Sequence, residues 1–481
     1  MTRWVMLADL ERCVGCQTCT AACRHANATS PAVQWRRVLD IEAGAYPQVS
    51  RTFVPVGCQH CADPPCMHVC PSTATRQRPD GIVTIDYELC IGCSYCAVAC
   101  PYQARFRVDA PRFAYGTARM QSEAVREVSR RLGVAQKCTF CADRIDAGTA
   151  AGLVPGVDPA ATPACVNACI ADALRFGDLD DPASNVSRLL AEHAHFRMHE
   201  EIGTAPGFYY LHGRHDAADG PVAAPASTEP TIRAKGIQPA LQTHWDWRAA
   251  ANFICGGAGC GLFAFAVAAA LAGSPAALLG LPALVLVGVG LCMVWLEIGR
   301  PWRFLHVVFH PQSSWMTREA MVAVLFFALA PPSLWIGDGV LVAAAAIAAL
   351  AFLYCQGRIL KAAKGIPAWR SPQIVSLIVS TGLAEGAGLA LMAAALVPAL
   401  APTREITVAA KSTYLGRVYL SWAQYPITEI EELASDPAQS NRAAYLVRFR
   451  DLRYMYPGQG SRRAPLGARV LLTRDLQVVD E

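Results

Sequence analysis

Four runs of cysteine restrict this chain more than any other feature of its sequence. Sixteen of the 20 cysteines fall before residue 170. The first and third runs share the spacing CxxCxxCxxxC, the second reads CxxCxxxxCxxxC, and the fourth is split into a CxxC pair and a later CxxxC pair. The runs are Cys13, Cys16, Cys19 and Cys23; Cys58, Cys61, Cys66 and Cys70; Cys90, Cys93, Cys96 and Cys100; and Cys138, Cys141, Cys165 and Cys169. The fold has to gather these thiols around metal or in disulfides.

The spacing of the runs decides between these possibilities. A CxxCxxCxxxC run converges three thiolates on one face of an iron–sulfur cube, while the fourth thiolate points to a second cube. Zinc sites need two close pairs separated by a longer loop, and only the fourth run has that form. Disulfides need an oxidising compartment and do not explain the prolines that follow Cys70 and Cys100. The sequence therefore predicts four [4Fe-4S] clusters.

Each cluster is expected to take three ligands from one run and one from another. The second and third runs are expected to exchange their fourth ligands, which gives the sets named 2 and 3 below. The internal symmetry of the runs extends this exchange to the first and fourth runs, which gives sets 1 and 4. Set 1 is Cys13, Cys16, Cys19 and Cys169; set 2 is Cys58, Cys61, Cys66 and Cys100; set 3 is Cys90, Cys93, Cys96 and Cys70; set 4 is Cys138, Cys141, Cys165 and Cys23. Cys169 precedes Ile170 instead of a proline, which alters the stiffness of the loop but not the ligation.

Composition indicates a second, membrane-embedded part. The chain has 481 residues, of which 53% are hydrophobic and 17% charged, too long and too apolar for one soluble domain. A net charge of only +4 argues against nucleic acid as a partner. Five apolar runs are long enough to cross a bilayer, at 252–273, 276–298, 320–337, 340–356 and 374–400. Pro331 and Pro332 are expected to kink or end the third. The four cysteines in this part lack ligand spacing and are expected to be small core residues.

The cysteine-rich part resembles a known family. The stretches "CQHCADPPCMHVCP" and "QKCTFCADRIDAG" look like the four-cluster electron-transfer subunit of molybdenum oxidoreductases of the dimethyl sulfoxide reductase family. The match covers about residues 1–210. The resemblance implies a partner, namely a separate catalytic subunit that carries molybdopterin. Nothing in this chain supplies that catalytic site.

The apolar part is similar to a second kind of subunit. The stretches "LEIGRPWRFLHVVFHPQSSWMTREA", "NFICGGAGCGLF" and "GLAEGAGLAL" resemble the quinone-reactive membrane anchors of dimethyl sulfoxide, polysulfide and sulfite-oxidising enzymes. Two proteins that are ordinarily separate are thus predicted to be fused, with the anchor shortened. The resemblance implies membrane lipid and quinone as partners.

Together these features predict a multidomain fold class. We expect an α+β, ferredoxin-like iron–sulfur domain at 1–210, a Pro-rich linker at 211–243, an all-α transmembrane bundle of about five helices at 244–400 and a small β-rich tail at 401–481. In the tail, alternation in "YLVRFRDLRYM" and "ARVLLTRDLQVV" predicts two strands.

Polar residues at the membrane edge are the candidate quinone site, because a quinone takes two protons with its two electrons. By resemblance, Glu297 occupies a position where related anchors carry a His or an acid, and Glu319 occupies the acid of a second anchor motif. Arg300 and Arg318 accompany them. Glu385 lies about eleven residues into the fifth apolar run, where an ionisable group is a functional candidate. Most of these residues have an alternative role. The arginines are then ordinary anchors at the membrane interface, Glu319 simply favours a helix N-terminus, and Glu385 is a neutral packing residue. His306 and His310 are weaker candidates of the same kind.

Charges in the short loops predict the orientation. Arg300, Arg303 and Arg318 lie in the second loop, and Arg358, Lys361, Lys364 and Arg370 in the fourth, whereas the first and third carry no Lys or Arg. With five crossings, the basic loops are on the side of the iron–sulfur domain. The positive-inside tendency places both on the cytoplasmic side of a bacterial inner membrane, in agreement with an N-terminus that shows no export signal.

The tail keeps a second class of function open. "YLSWAQYPITEIEE" and the strands after it resemble the soluble C-terminal region of membrane-bound metal-dependent hydrolases. The alternative function is therefore a membrane hydrolase or scaffold with an attached iron–sulfur redox sensor. Such hydrolases need His and acidic metal ligands, and the tail contains no His or Cys. We favour an electron-transfer and membrane-anchor subunit, with sulfite oxidation or S- or N-oxide reduction as the partner's chemistry.

Overall fold

The computed structural model describes residues 2–31, 33–115, 118, 120–121, 129–214, 244–271 and 275–396, together with six strands of the C-terminal tail. The chain divides into two compact units, Met1–Ala268 with Ala276–Gly388 and Ala269–Pro275 with Leu389–Glu481. The first unit contains all sixteen cysteines of the runs and most of the apolar helices. All the candidate site residues therefore lie within the first compact unit.

A four-stranded sheet joins the two ends of the cysteine-rich region. Its strand order is β8-β1-β10-β9, in which β10 is parallel to β1 and the other neighbours are antiparallel. Val5, Met6, Leu7 and Ala8 are fully buried, so the central strand is covered on both faces. The strands are β1 (Trp4–Asp9), β8 (Leu174–Asp178), β9 (His193–Phe196) and β10 (Phe208–Arg214).

The remaining strands of this region form three antiparallel hairpins. They pair β2 (Arg36–Ala45) with β3 (Gln48–Gly57), β4 (Thr75–Gln77) with β5 (Val83–Ile85), and β6 (Phe106–Arg107) with β7 (Ala135–Gln136). Most of the helices begin within or beside a cysteine run. They are α1 (Thr18–Asn27), α2 (Pro65–His68), α3 (Tyr95–Val98), α4 (Ala142–Ala150), α5 (Ala164–Asn167) and α6 (Asn185–Glu192). The predicted α+β class is confirmed.

Five helices in the described residues are long and apolar enough to cross a membrane. They are α7 (Trp247–Leu271), α8 (Ala277–Glu297), α9 (Trp315–Ile336), α10 (Gly339–Ala362) and α11 (Ile374–Leu396). The predicted number is confirmed, and the helix α9 continues through Pro331 and Pro332. The bounds differ mainly at the ends that face the cysteine-rich region.

Two basic residues predicted in the fourth loop belong instead to a helix. The helix α10 ends at Ala362, six residues beyond its predicted end, and it contains Arg358 and Lys361. Lys361 lies in the last turn of this helix, where a basic side chain interacts favourably with the helix dipole and favours the extension. Arg358 also lies over the ring of Trp315, with its guanidinium carbon 4.3 Å from the ring centroid.

Glycines hold α7 close to α11. A Cβ atom at Gly261 would lie 2.1 Å from the carbonyl oxygen of Gly382, and one at Gly386 would lie 2.2 Å from the backbone of Gly261. Small residues let the backbones of membrane helices approach each other closely. The glycine-dense stretch of α7 therefore packs helices.

The predicted linker and tail are described only in part. Residues 211–214 of the predicted linker continue β10, because that strand pairs with β1 through Leu211 and with β9 through Arg214; residues 215–243 lie outside the described residues. In the second unit, β11, β12, β13 and β16 form an antiparallel sheet, and β14 pairs with β15. The tail strands are β11 (Arg404–Thr407), β12 (Gln424–Glu432), β13 (Tyr445–Phe449), β14 (Arg453–Tyr456), β15 (Gly460–Arg463) and β16 (Arg469–Leu472). The tail thus contains more strands than the two predicted.

Candidate functional site: four cysteine sets and a membrane cavity

The four CxxC loops share one backbone feature. In each loop the residue directly before the second cysteine has a positive φ angle: Gly15 (70°), His60 (42°), Gly92 (74°) and Phe140 (53°). This left-handed conformation is costly for residues other than glycine, so its recurrence at one position marks a shared requirement. The internal repeat of the sequence is therefore also a repeat of loop conformation.

Three cavities are each lined by one predicted ligand set. Four cysteines come together at each cavity, and in each set three belong to one run and the fourth to another. The cavities are lined by Cys13, Cys16, Cys19 and Cys169; by Cys58, Cys61, Cys66 and Cys100; and by Cys70, Cys90, Cys93 and Cys96. The structure thus brings together the members of sets 1, 2 and 3.

The members of set 4 also lie together. Cys23 interacts electrostatically with Cys138, Cys165 and Cys141. The side-chain amide of Asn27 lies 3.7 Å from the sulfur of Cys23 and 3.8 Å from that of Cys141. The helix α1 therefore carries Cys23 from the first run to the thiols of the fourth.

The chemistry of these sites fits iron–sulfur clusters. Within the described ranges, no three His, Cys, Asp or Glu side chains converge closely enough to hold a single metal ion. Burial raises the pKa of the thiols of Cys96 and Cys100 to about 11, so a bound cation is needed to keep them as thiolates at neutral pH. Four thiols spaced around a cavity suit a polynuclear cluster of the [4Fe-4S] type.

Electrostatic interactions between thiols of different sets give the order of the sites. Electrostatic interactions link Cys19 of set 1 to Cys165 of set 4, and Cys138 of set 4 to Cys58 of set 2. A third interaction links Cys66 of set 2 to Cys96 of set 3. The sets therefore follow one another in the order 1, 4, 2, 3. Set 1 forms an outer end of this row, where Cys16 is exposed.

Set 3 is held against the membrane helices. His310 donates its Nδ1–H to the carbonyl oxygen of Cys70 at 2.9 Å. His306 donates to the carbonyl oxygen of Leu89 at 3.1 Å, and Arg303 pairs with Glu88 at 2.8 Å. The segment that follows α8 therefore binds the backbone around two cysteines of this set.

Three glycines bring the two parts into backbone contact. The N–H of Gly299 donates to the carbonyl oxygen of Gly92 at 3.2 Å. A Cβ atom at Gly299 would lie 2.1 Å from the carbonyl oxygen of Gly133, and one at Gly92 would lie 2.0 Å from the same oxygen. Only glycine fits at these three positions of the junction.

A cavity at this junction joins set 3 to the two predicted carboxylates. It is lined by Cys93, Trp245, Glu297 and Glu319, among mainly apolar neighbours. Glu297 ends α8 and is 5% exposed, and its carboxylate accepts the backbone N–H of Asp246 at 3.3 Å. Residues predicted separately as a cluster ligand and as quinone-site acids therefore line one cavity.

The inner wall of the cavity is polar. Glu319 is 6% exposed and lies beside the side chains of Asn252 and Gln356. Gln356 donates its amide to the carbonyl oxygen of Asn252 at 3.0 Å. One side-chain oxygen of each of these three residues is buried without a hydrogen-bond partner. Buried acceptors of this kind are rare and need a donor such as a ligand, a water or a proton.

The other predicted quinone residues do not line this cavity. Arg300 donates to the carbonyl oxygen of Leu132 at 3.0 Å, and Arg318 donates to that of Pro311 at 2.9 Å. Arg300 thus binds the backbone of the iron–sulfur domain, and Arg318 binds the backbone of the segment before its own helix. Glu385 is exposed on α11, with its carboxylate against Gly257. A role in quinone binding for Arg300, Arg318 and Glu385 stays a prediction.

Sequence reasoning missed Trp245. Its indole donates to the carbonyl oxygen of Cys93 at 2.9 Å, and its ring stacks on that of Tyr95 at 5.4 Å. Trp245 lies just outside the apolar runs, beside a Pro-rich segment, so hydropathy gave no reason to single it out. The only usable signal was its place directly before a membrane helix, where tryptophan is common.

The fold and the cysteine sites define an iron–sulfur electron-transfer protein that carries membrane-crossing helices. Residues 49–115 match the family model described as a 4Fe-4S dicluster domain. The putative dimethyl sulfoxide reductase iron–sulfur subunit of Halobacterium salinarum is 40% identical over 227 residues, which cover 44% of this chain and 80% of that protein. A subunit of the selenate reductase of Mesobacillus selenatarsenatis is 38% identical over 225 residues, covering 44% and 72%. The menaquinone reductase iron–sulfur cluster-binding subunit of Nitratidesulfovibrio vulgaris is 35% identical over 231 residues, covering 44% and 89%.

These similarities establish the family. The chain belongs to the iron–sulfur subunits of the dimethyl sulfoxide reductase and selenate reductase type. It also carries five membrane-crossing helices in the same polypeptide.

Proposed function

We propose that this protein is the electron-transfer and membrane-anchor subunit of a quinone-linked oxidoreductase. The substrate of the complex is converted on a separate, molybdopterin-containing catalytic subunit. The observation that carries the proposal is the cavity lined by Cys93 together with Glu297 and Glu319. It puts a cluster ligand and two candidate proton carriers around one space at the end of the row of cysteine sets.

Sets 1 to 4 would each hold one [4Fe-4S] cluster. When bound, these clusters supply one-electron redox steps between the catalytic subunit and membrane quinone. The chain's own part is to keep the thiols buried and ordered, so that neighbouring sets lie side by side from Cys16 at the exposed end to Cys93 at the cavity. The exposed end of set 1 is the side on which we place the catalytic subunit.

The two carboxylates of the cavity handle protons. Quinone reduction takes up two protons, and quinol oxidation releases them, so the site needs groups that exchange protons at the reacting oxygens. Glu297 accepts a hydrogen bond from Asp246, a residue near the protein surface, and so lies at the outer side of the cavity. Glu319 lies between Asn252 and Gln356 at the inner side. We assign proton exchange with the surface to Glu297 and contact with the quinone to Glu319.

The contacts at the junction support an orientation. The basic segment after α8 binds the iron–sulfur domain through Arg300 and Arg303, and the segment after α10 reaches it at Gly365, whose Cβ position lies 2.3 Å from the carbonyl oxygen of Val98. The basic ends of the helices therefore lie on the side of the iron–sulfur domain. By the positive-inside tendency, we place that domain in the cytoplasm of a cell with a bacterial inner membrane.

The names of several relatives support a proposal for the chemistry of the partner. Subunits of dimethyl sulfoxide reductase, selenate reductase and sulfite dehydrogenase are all similar to this chain. We propose sulfite oxidation or the reduction of an S- or N-oxide on the catalytic subunit. This chain supplies the electron path and the membrane attachment.

The test replaces one carboxylate in the purified, full-length protein. Glu319→Gln keeps the size of the side chain and removes its proton-carrying charge, so quinone-linked turnover should fall by about two orders of magnitude. Electron exchange with a soluble dye should be unchanged, and the protein should keep about sixteen iron atoms, four per cluster. Glu192→Gln, at an exposed position of the iron–sulfur domain, is the matched control. Wild-type quinone turnover in Glu319→Gln across the pH range would overturn the assignment of this cavity.

A further inference from the structure

Three basic side chains are buried among the cysteine sets. Arg36 and Lys137 are each 1% exposed, and Arg105 is 2% exposed. Among the described residues, none of them lies within ion-pair distance of a carboxylate. A buried charge without a partner is strongly unfavourable. These three cations must therefore be compensated by something else in the interior.

Arg36 lies between set 1 and set 4. It interacts electrostatically with Cys19 of set 1 and with Cys138 and Cys165 of set 4. Its Nη2 lies 3.0 Å from the sulfur of Met6, while Nε and Nη1 have no hydrogen-bond partner. Two buried donors of a guanidinium are thus left for an anionic group held by these cysteines.

Arg105 lies between set 2 and set 3. Its Nη2 donates to the sulfur of Cys66 at 2.8 Å, and its Nη1 donates to Thr75 at 3.1 Å. It also interacts electrostatically with Cys96 of set 3 and lines the cavity of set 2. One cation is therefore shared by the two sets nearest to the membrane.

Lys137 lies between set 4 and set 2. Its ammonium group donates to the carbonyl oxygens of Cys138, at 2.7 Å, and of Val83. It interacts electrostatically with Cys138 of set 4 and with Cys58 and Cys66 of set 2. Each of the three steps in the row of sets thus has one buried cation beside it.

We propose that Arg36, Lys137 and Arg105 each raise the reduction potentials of the two clusters on either side of them. This inference rests on the proposed function, because it requires a cluster at each of the four sets. Reduction adds negative charge to a cluster, and a nearby positive charge in a medium of low dielectric constant stabilises that charge. A shared cation also weakens the repulsion between neighbouring reduced clusters. Reduction of one cluster then hinders reduction of its neighbour less than it would without the cation.

The pairing of cations with sets makes the effect local. Removal of Arg105 should lower the potentials of the clusters of sets 2 and 3, and removal of Arg36 should lower those of sets 1 and 4. Removal of Lys137 should lower those of sets 2 and 4. A residue that only supported the fold would not shift two chosen potentials and leave the other two in place.

The experiment is a redox titration followed by EPR on the purified, full-length protein. Signals are first assigned to sets with single Cys→Ser variants. In Arg105→Met, the reduction equilibrium of the clusters of sets 2 and 3 should become about tenfold less favourable, which is 59 mV for one electron. The clusters of sets 1 and 4 should keep their potentials. Arg105→Lys, which retains the charge, should lie close to the wild type.

The outcomes separate this inference from the function on which it rests. Fewer than four cubane clusters in the wild type would contradict the proposed function. Four clusters with unchanged potentials in Arg105→Met, or a uniform shift of all four, would overturn the inference alone. If Arg105→Met fails to retain its clusters, Arg36→Met tests the same rule on sets 1 and 4. A shift in Arg105→Lys as large as that in Arg105→Met would show that charge is not the cause.

Discussion

Trp245 donates its indole N–H to the backbone carbonyl oxygen of Cys93 at 2.9 Å, and both residues line the cavity that also contains Glu297 and Glu319. The bond links a residue that precedes the first membrane helix to a cysteine of the set nearest to the membrane. The ring of Trp245 continues into an aromatic cluster with Tyr95, Phe253 and Trp369. The same side chain therefore holds part of the set 3 loop and forms part of the cavity wall.

Replacing Trp245 by phenylalanine should separate these two roles. Trp245→Phe keeps an aromatic ring and removes the N–H, which contributes about 0.5–1.5 kcal/mol as a neutral hydrogen bond. We expect quinone-linked turnover to fall by about threefold to tenfold, and the EPR signal of the cluster of set 3 to change. Trp335→Phe is the control, since Trp335 is 93% exposed on the membrane helix α9. An unchanged set 3 signal would contradict a role for the bond in positioning the loop.

The glycine junction should tolerate no side chain. In Gly299→Ala the new Cβ atom would meet the carbonyl oxygen of Gly133 at 2.1 Å, and a backbone atom cannot move aside as a flexible side chain can. A displacement of about 1 Å at a reacting site costs about a hundredfold in rate, and quinone-linked turnover should fall accordingly. Dye-linked electron exchange and iron content should be preserved, because no cysteine of the runs is altered. Gly339→Ala, where a Cβ meets nothing within 4 Å, should behave as the wild type.

The assignment of Cys23 to set 4 can be tested by one substitution. Cys23 follows Cys13, Cys16 and Cys19 in the sequence, but its electrostatic partners are Cys138, Cys165 and Cys141. Cys23→Ser should perturb the EPR signal of the cluster of set 4 and leave that of set 1 in place. Cys255→Ser, in the membrane helix α7, is the control and should alter neither signal. Loss of the set 1 signal alone would show that the pairing is wrong.

Acid should weaken the junction through His244, which directly precedes Trp245 and lies near Arg107, a residue of the iron–sulfur domain that donates to the carbonyl oxygen of Glu297 at 3.2 Å. Burial lowers the pKa of His244, and the nearby Arg107 lowers it further, while Asp109 opposes them. The intact junction between the iron–sulfur domain and the membrane helices therefore favours the neutral imidazole. The stability that the neutral imidazole of His244 gives to the junction is fully present above the ordinary histidine pKa of about 6.5. This stability decreases as the pH falls from there toward the lowered pKa.

The measurement is the ratio of quinone-linked to dye-linked turnover between about pH 7.5 and 5.5, a window that spans the ordinary histidine pKa. The ratio should fall with acid more steeply in the wild type than in His244→Asn, which cannot be protonated. Parallel profiles for the two proteins would exclude His244 as the titrating group, and leave the pH dependence to the quinone chemistry itself.

The sequence predicted most where spacing is dictated by chemistry. Ligand sets that combine cysteines from two runs, such as Cys70 with Cys90, could be predicted because a cube needs four converging thiolates. The structure gathers the members of each set, although ligation itself stays a prediction. The burial of Arg36 and Lys137 could not be predicted, because the sequence does not show whether a basic side chain ends in solvent or between two sets of thiols.

Helix ends were predicted less well for a related reason. Hydropathy marks where a segment is apolar, but Trp247 and Arg358 belong to helices that extend past the apolar run to reach the iron–sulfur domain. Likewise, hydropathy did not indicate what the residues between α8 and α9 contact, and a role of this segment in quinone binding stays a prediction. In the structure, His306 and His310 bind the backbone near set 3. Such roles depend on what lies opposite in space.

The junction between the iron–sulfur domain and the membrane helices lies within one polypeptide. Many of its contacts are single hydrogen bonds to backbone oxygens, such as those from His306 to Leu89 and from Trp245 to Cys93. Between separate subunits, such contacts would have to overcome the loss of translational freedom at cellular concentrations. Within one chain the effective concentration of the two halves is on the order of millimolar, whatever the expression level. Separation and return are therefore unimolecular events, and dilution of the protein in the membrane cannot disconnect the clusters from the anchor.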